Sequence, residues 1–271
     1  MFDTSTLQRS HGRAHVGFAG GGIVDLAQAG SARTFVFPRR ASGPEVVFLN
    51  TSGGLTSGDR LDLSLDLGPA QAMRATTQTA ERAYRAESGP ARVTVRFTLN
   101  RGAALDWLPQ ETILFQGAAL DRLTHVTMAA DASYLAIEVV VLGRAAMGET
   151  VTQLALTDRR EVWRDGRLVL CDPLRLDADS LMRGSPALHG GARVLASLMC
   201  LAPGAADALP ALRAALTGQG VEAAASARDG QVVVRLRAAD IWAMRGQIAR
   251  LVGVLRPGPL PRVWQHEGAA A

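Results

Sequence analysis

The side chains of this sequence that could do chemistry are few and scattered. His11 and His15 lie four residues apart. On a helix they would share a face and could clamp a metal ion. The segment around them precedes Gly20, Gly21 and Gly22 and reads as extended, which separates the two rings by about 13 Å, too far for one ion. His125 alternates with Leu123 and Thr127 and reads as a structural strand residue. His266-Glu267 has no second histidine after it, so it does not complete an HExxH pair. Cys171 and Cys200 form no CxxC motif and are expected to be reduced, buried thiols. The acidic residues Asp59, Glu81, Glu111 and Glu149 all fall in glycine-rich or turn-adjacent segments. Their oxygens could hold a divalent metal cation weakly. Spacing alone favours a plainer role, as surface charges or arginine partners.

The common catalytic frameworks are missing. There is no GxxxxGK[ST] loop, and with no lysine anywhere in the chain that loop cannot exist in its usual form. The glycines at 20–22 do not extend to GxGxxG, and neither GxSxG nor HExxH occurs. No nucleophile, base and orienting group can be placed from sequence, so the chain is expected not to be an enzyme.

Composition narrows the partners. The 271 residues are 48% hydrophobic and 20% charged, which suits a folded chain with a real core. All 29 basic residues are arginine, and the net charge is +4. A basic excess can serve a nucleic acid or another polyanion, and a β-rich polyanion-binding protein is the alternative reading. The arginines are dispersed and only 5% of residues are aromatic, so nucleic acid is not an expected partner. The longest apolar run, residues 136–142, is interrupted by Glu138 and is far too short to span a bilayer. The first residues carry no apolar leader pattern. A soluble, cytoplasmic protein is expected, with no membrane partner.

The elements that would position these residues are mostly strands. Leu61, Leu63, Leu65 and Leu67 alternate with Asp62, Ser64 and Asp66, and Val93, Val95, Phe97 and Leu99 alternate in the same way. Residues 136–142 read as a more buried strand. Asp165-Gly166 between residues 161–164 and 167–170 predicts a tight hairpin. Past about residue 190 the pattern shifts to a strand over 193–201, a helix over 205–216, a strand over 231–237 and a helix over 239–255. The fold class expected is mainly β, a β-helical or stacked-strand body over about 1–190 with a small α+β part over about 191–271. No fixed-period repeat and no linker is visible, so residues 1–271 are expected to form one unit.

Several segments resemble the urease accessory protein D family. They are Gly53-Gly54 leading to Gly58-Asp59-Arg60, and Thr76-Thr77 leading to Tyr84-Arg85. The most specific is Trp107-Leu108-Pro109-Gln110-Glu111-Thr112-Ile113-Leu114-Phe115. Gly143-Arg144 with Met147-Gly148-Glu149, the hairpin around Gly166, and Pro261-Arg262-Val263-Trp264 follow in order. The resemblance implies a non-catalytic protein that binds the urease apoprotein and bridges it to accessory proteins F and G, where G is the GTPase that delivers nickel. It implies a largely β, helix-like stack of strands, in agreement with the periodicity. It also implies no permanently bound cofactor, and only transient Ni²⁺. If nickel passes through the protein, Asp59, Glu81, Glu111 and Glu149 are the expected carboxylates along its path.

Overall fold

The computed structural model describes residues 9–37, 43–183 and 189–265. His266 therefore lies outside the described residues. In chain order the elements are β1 (His11–Ala19), β2 (Gly22–Gly30), β3 (Ala32–Phe37), β4 (Glu45–Asn50), β5 (Arg60–Leu67), β6 (Ala72–Thr77), β7 (Glu81–Ala83) and β8 (Ala91–Leu99). Then come β9 (Ala104–Trp107), β10 (Thr112–Leu114), β11 (Ala119–Met128), β12 (Ser133–Leu142), β13 (Ala155–Arg164), β14 (Arg167–Asp177) and helix α1 (Ala178–Arg183). The last part holds β15 (Val194–Leu201), helix α2 (Leu209–Ala214), β16 (Val221–Arg228), β17 (Gln231–Ala238) and helix α3 (Ile241–Leu255).

These strands build two facing sheets. The first runs β14-β13-β11-β8-β5-β1-β2, and the second β16-β17-β15-β12-β9-β6-β4-β3, with the short β10 and β7 beside β12. From β5 onward the chain crosses repeatedly between the sheets. Each new strand lies parallel to the previous one in its own sheet: β5, β8, β11 and β13 in one, β6, β9 and β12 in the other. This is the expected stack of strands, wound from coils of unequal length, which is why no fixed period shows in the sequence.

Alternation decides which side chains enter the space between the sheets. In β5, Leu61, Leu63, Leu65 and Leu67 are buried, and in β8 the same is true of Val93, Val95, Phe97 and Leu99. Trp107 of β9 anchors this core, with its ring centroid 5.2 Å from that of Phe97 and 6.2 Å from that of Phe48. β12 is apolar on both faces because both are covered. Tyr134, Ala136, Val140 and Leu142 pack in the inter-sheet core, while Leu135, Ile137, Val139 and Val141 belong to a second core under α3.

The late α+β part continues the same sheet, since β15 pairs antiparallel with β12. Asp240 caps α3 by accepting from the Trp242 and Ala243 amides, and Met244, Ile248, Leu251 and Val252 are its buried face. The helix expected over 205–216 is divided. A 3₁₀ turn covers Ala205–Ala208 and α2 begins at Leu209. Pro210, in the first turn of α2, has no N–H to extend a helix from residue 205. The predicted hairpin forms as expected, with φ of +47° at Asp165 and +74° at Gly166.

Two neighbours in β8 separate core from surface. Phe97→Ala should lower the free energy of unfolding by about 3–5 kcal/mol. Thr98→Ala, on the outer face, should change it by less than about 0.5 kcal/mol, both read by urea denaturation.

Candidate functional site

The segments singled out in the sequence converge on β7 and β10. β10 is three residues long and lies parallel between β7 and β12. Leu55 bridges to Ala83 of β7, and its amide donates to the Arg82 carbonyl at 2.7 Å. Gly54 just before it has φ of +147°, and a Cβ there would fall 2.3 Å from the Tyr84 ring. Only glycine lets the backbone come this close. The Tyr84 hydroxyl donates to the Gly53 carbonyl at 3.1 Å, and its ring meets Phe115 edge-on with 5.0 Å between centroids. The Arg144 guanidinium covers the other ring of this pair, 4.7 Å from the Phe115 centroid. The Gly143 amide donates to Leu114 at 2.8 Å.

The Pro-Gln-Glu step also has a structural role. Gln110 and Glu111 both accept from Arg245 of α3, at 2.7 and 3.0 Å. That guanidinium lies 4.5 Å from the Trp264 ring centroid, and Trp264 Nε1 donates to the Leu108 carbonyl at 2.8 Å. The motif thus joins α3 and the chain end to the strand stack.

The four carboxylates fall into two pairs. Glu111 is bound to Arg245, and Glu149 to Arg144 Nε at 2.9 Å. Glu149 also accepts from the Gln116 and Arg144 amides, and hydrogen bonding to the Arg144 side chain leads in lowering its pKa to about 2. Asp59 and Glu81 have no arginine bridge among the described residues. Buried Asp59 accepts from the Ser10 and Thr56 amides at 2.7 and 2.8 Å, fixing the turn that opens β5. Half-buried Glu81 accepts from Asn50 at 3.2 Å and from the Arg82 amide at 3.0 Å. Burial raises its pKa, and the negative charge of Asp59 pushes the same way. Glu81 also lines a narrow cavity of about 50 Å³ between β5 and the β6–β7 turn, room for roughly one water molecule. Glu81 and Glu111 are backbone neighbours, the Glu81 amide donating to the Glu111 carbonyl at 2.9 Å. Among the described residues no three His, Cys, Asp or Glu side chains come together to hold a metal ion.

A buried ionic network was not anticipated from the sequence. Arg122 of β11 gives two hydrogen bonds to Asp158 of β13, at 2.9 and 2.7 Å, and pairs with Glu138 of β12 at 2.9 Å. Its remaining contact is Thr112 of β10 at 3.0 Å. Glu138 also accepts from Trp107 Nε1 at 3.0 Å. The network continues through Arg160, which reaches Asp158 and Asp172, to Arg235 of β17. Burial would lower the Arg122 pKa, but Asp158 and Glu138 outweigh it and keep the guanidinium charged; burial raises Glu138. One signal was legible: Arg122, Asp158 and Arg160 each sit on the apolar phase of an alternating strand, and Glu138 breaks an apolar run.

Comparison with known proteins accounts for this convergence of motifs. The family model described as "UreD urease accessory protein" matches residues 10–265. A urease accessory protein UreD of Paracoccus denitrificans is 52% identical over 270 residues, covering 98% of this chain and 96% of that one. One from Cereibacter sphaeroides is 56% identical over 267 residues, covering 97% of each. A UreD 2 protein of Methylorubrum populi is 44% identical over 271 residues, covering 95% of this chain and 91% of its own. The chain belongs to the UreD urease accessory protein family. An accessory role in urease maturation goes with that membership.

Two thiol and histidine details remain in this UreD-family chain. Cys200 is buried and burial pushes its thiol pKa up, as expected, but Cys171 is exposed. The correction has a simple cause: Cys171 alternates with buried Leu170 and Asp172 in edge strand β14, so it points outward. His11 and His15 do lie on an extended strand, β1. His15 Nδ1 lies 2.9 Å from Ser64 Oγ, and its Nε2 3.2 Å from Asp25. This file of serine, histidine and aspartate was not foreseen. It lacks an oxyanion site, because β1 and β5 are each paired on both sides and their amides are committed to the ladder. No helix of the described residues is long and apolar enough to cross a membrane.

The ionic groups lead to two expectations. Asp158→Ala strands Arg122 and Arg160 without their shared acceptor and should cost about 3–5 kcal/mol in denaturant unfolding. Glu149 has a folded pKa below its ordinary 4.5, so its contribution is present above that value and is lost as pH falls toward about 2. In thermal unfolding at a series of pH values, Glu149→Gln should flatten the wild-type decline across that window.

Proposed function

We propose that this chain is a urease maturation scaffold. It binds the urease apoprotein together with accessory proteins F and G and assists the delivery of nickel, as cargo, to the urease active site. The observation that carries this reading is the family match over residues 10–265, which spans both sheets and α3. The relatives that support it are named urease accessory proteins. It works as a chaperone of assembly in the cytoplasm and keeps no resident cofactor.

The geometry bears on how nickel would be handled. A cargo site must release its ion, so isolated carboxylates suit it better than a closed cage of His and Cys. Asp59, Glu81, Glu111 and Glu149 are the proposed path, and they differ in aptitude. Glu111 and Glu149 would first have to give up an arginine. Glu81 has a raised pKa, a neighbouring carboxylate charge and a small cavity beside it. A divalent cation there would relieve an unfavourable buried charge, which favours Glu81 with Asp59 as the pair that meets the ion. The polyanion-binding alternative has less support. Many arginines, including Arg74, Arg122, Arg160, Arg245 and Arg256, are engaged with carboxylates of the same chain.

The test is co-expression with the urease structural proteins and with F and G. The chain should co-purify with them, and its omission should abolish nickel-dependent urease activation. Charge-removing variants Asp59→Asn and Glu81→Gln should lower activation at least severalfold while assembly persists. Failure to co-purify, or normal activation by all four single carboxylate variants and their combination, would remove the scaffold and the path respectively.

A further inference from the structure

The first sheet ends at β2, and that edge is unguarded. The strand is nine residues long, and all but its first residue are exposed. It pairs with β1 on one side, and among the described residues no strand pairs with the other. Ile23, Val24 and Leu26 are 44, 67 and 47% exposed. Natural edge strands are usually blunted by charge, by proline or by being short. β2 has no proline, and Asp25 is its only charge. Its one irregularity falls at Val24, and residues 25–30 run in unbroken register with β1.

The register fixes what the open edge offers. The Ser31 amide donates to the His11 carbonyl at 3.3 Å. In an antiparallel ladder every second opposed pair is hydrogen-bonded. Counting back from Ser31, the backbone groups of Ala29, Ala27 and Asp25 are engaged with β1, and those of Leu26 and Gln28 point to the open side. Side-chain faces follow in the same way. Asp25, Ala27 and Ala29 lie on the outer face beside Gly17, His15 and Arg13, and Leu26 lies on the inner face beside Val16. Arg13 is exposed and meets no carboxylate among the described residues. Asp25, beside His15, keeps a side chain 66% exposed.

We infer that β2 is a self-association edge, on which a second copy of this chain adds its own β2 in antiparallel pairing, with the two-fold axis at Ala27. Charge complementarity selects both the partner and the register. With the axis at Ala27, Ala29 lies opposite Asp25 of the second copy. Arg13, which neighbours Ala29 on β1, then stands two strand spacings from that carboxylate, about 10 Å between Cα atoms. The small Ala29 side chain leaves the way between them clear, and an extended arginine and an aspartate together cover that distance. The symmetry makes the same contact twice. Moving the axis to Leu26 would set Ile23 opposite Ala29, and moving it to Gln28 would bring Arg13 toward a histidine. The Ala27 axis also pairs Leu26 with Gln28 of the second copy through their open backbone groups. It brings the two Leu26 side chains diagonally across the inner face, within reach of each other. This inference does not depend on the maturation role.

The experiment is sedimentation equilibrium of the full chain alone over a wide range of concentration, with circular dichroism of each variant to check its fold. The average mass should rise toward twice that of one chain. Leu26→Lys places a charge on the open edge and should abolish the rise. Arg13→Asp and Asp25→Arg should each weaken self-association by roughly fivefold, because two exposed ion pairs are lost at once. The double variant, with the charges exchanged, should restore it. Arg13 and Asp25 lie opposite different residues within one chain, so only a contact between copies explains such a rescue. A mass that stays monomeric throughout, a dimer that Leu26→Lys leaves intact, or a double variant no tighter than the single ones would each overturn the proposal. If Leu26→Lys does not fold, the charge exchange decides alone. Amide hydrogen exchange at Leu26 and Gln28 should slow as concentration rises. Slowing only when an accessory protein or urease is added would give the edge to that protein and overturn the pairing of copies.

Discussion

The Arg122 guanidinium, held between the sheets by Asp158, Glu138 and Thr112, is the interaction on which the rest of this structure depends. It joins β10, β11, β12 and β13, and so ties three successive coils of the stack together across the sandwich. Hydrophobic packing alone is non-directional, and a strand can slip along its neighbour with little loss of buried area. A buried charge allows no such slip, because a shift of one residue would leave it unpaired in a low-dielectric space. Trp107 adds a second point of registry by donating to Glu138. The short β10 is thereby fixed in place, and with it the β7–β10 corner where the family motifs meet.

The stack also explains the division of labour between the sheets. Around β12 the second sheet is covered on both sides, by the first sheet and by the core under α3, and β12 is apolar on both faces apart from Glu138 within it and Ser133 at its start. The first sheet carries mostly parallel strands, yet among the described residues no helix covers its outer face, which bears Ser64, Arg96, His125 and Arg159. Parallel sheets are usually buried on both faces. Here alternation with polar residues satisfies the outer face, as in an antiparallel sandwich.

Much of the fold could be read directly. The period-two stretches became β5 and β8, the Asp-Gly turn became the β13–β14 hairpin, and the apolar stripe over 239–255 became α3. The candidate carboxylates were legible as residue types within motifs that resemble a known family, but their partners were not. Arg245 lies 134 residues from Glu111, and Asn50 lies 31 from Glu81, so no local pattern connects them. Cys171 was misjudged because a thiol's usual burial was applied where strand parity points the other way.

By itself the sequence determined the strand character of the chain, the faces that must be buried, the turns that need glycine, and membership of a family through ordered motifs. These are local properties, set by side-chain period and backbone sterics within a few residues. Only the tertiary structure decided which charges neutralise one another. It paired Arg122 with Asp158 and Glu138, gave Glu111 and Glu149 to arginines, and left Glu81 with no arginine bridge among the described residues and a pKa raised by burial. The reason is physical. The strength of an ionic contact depends on distance and on the exclusion of water, and both exist only once strands far apart in sequence have been stacked.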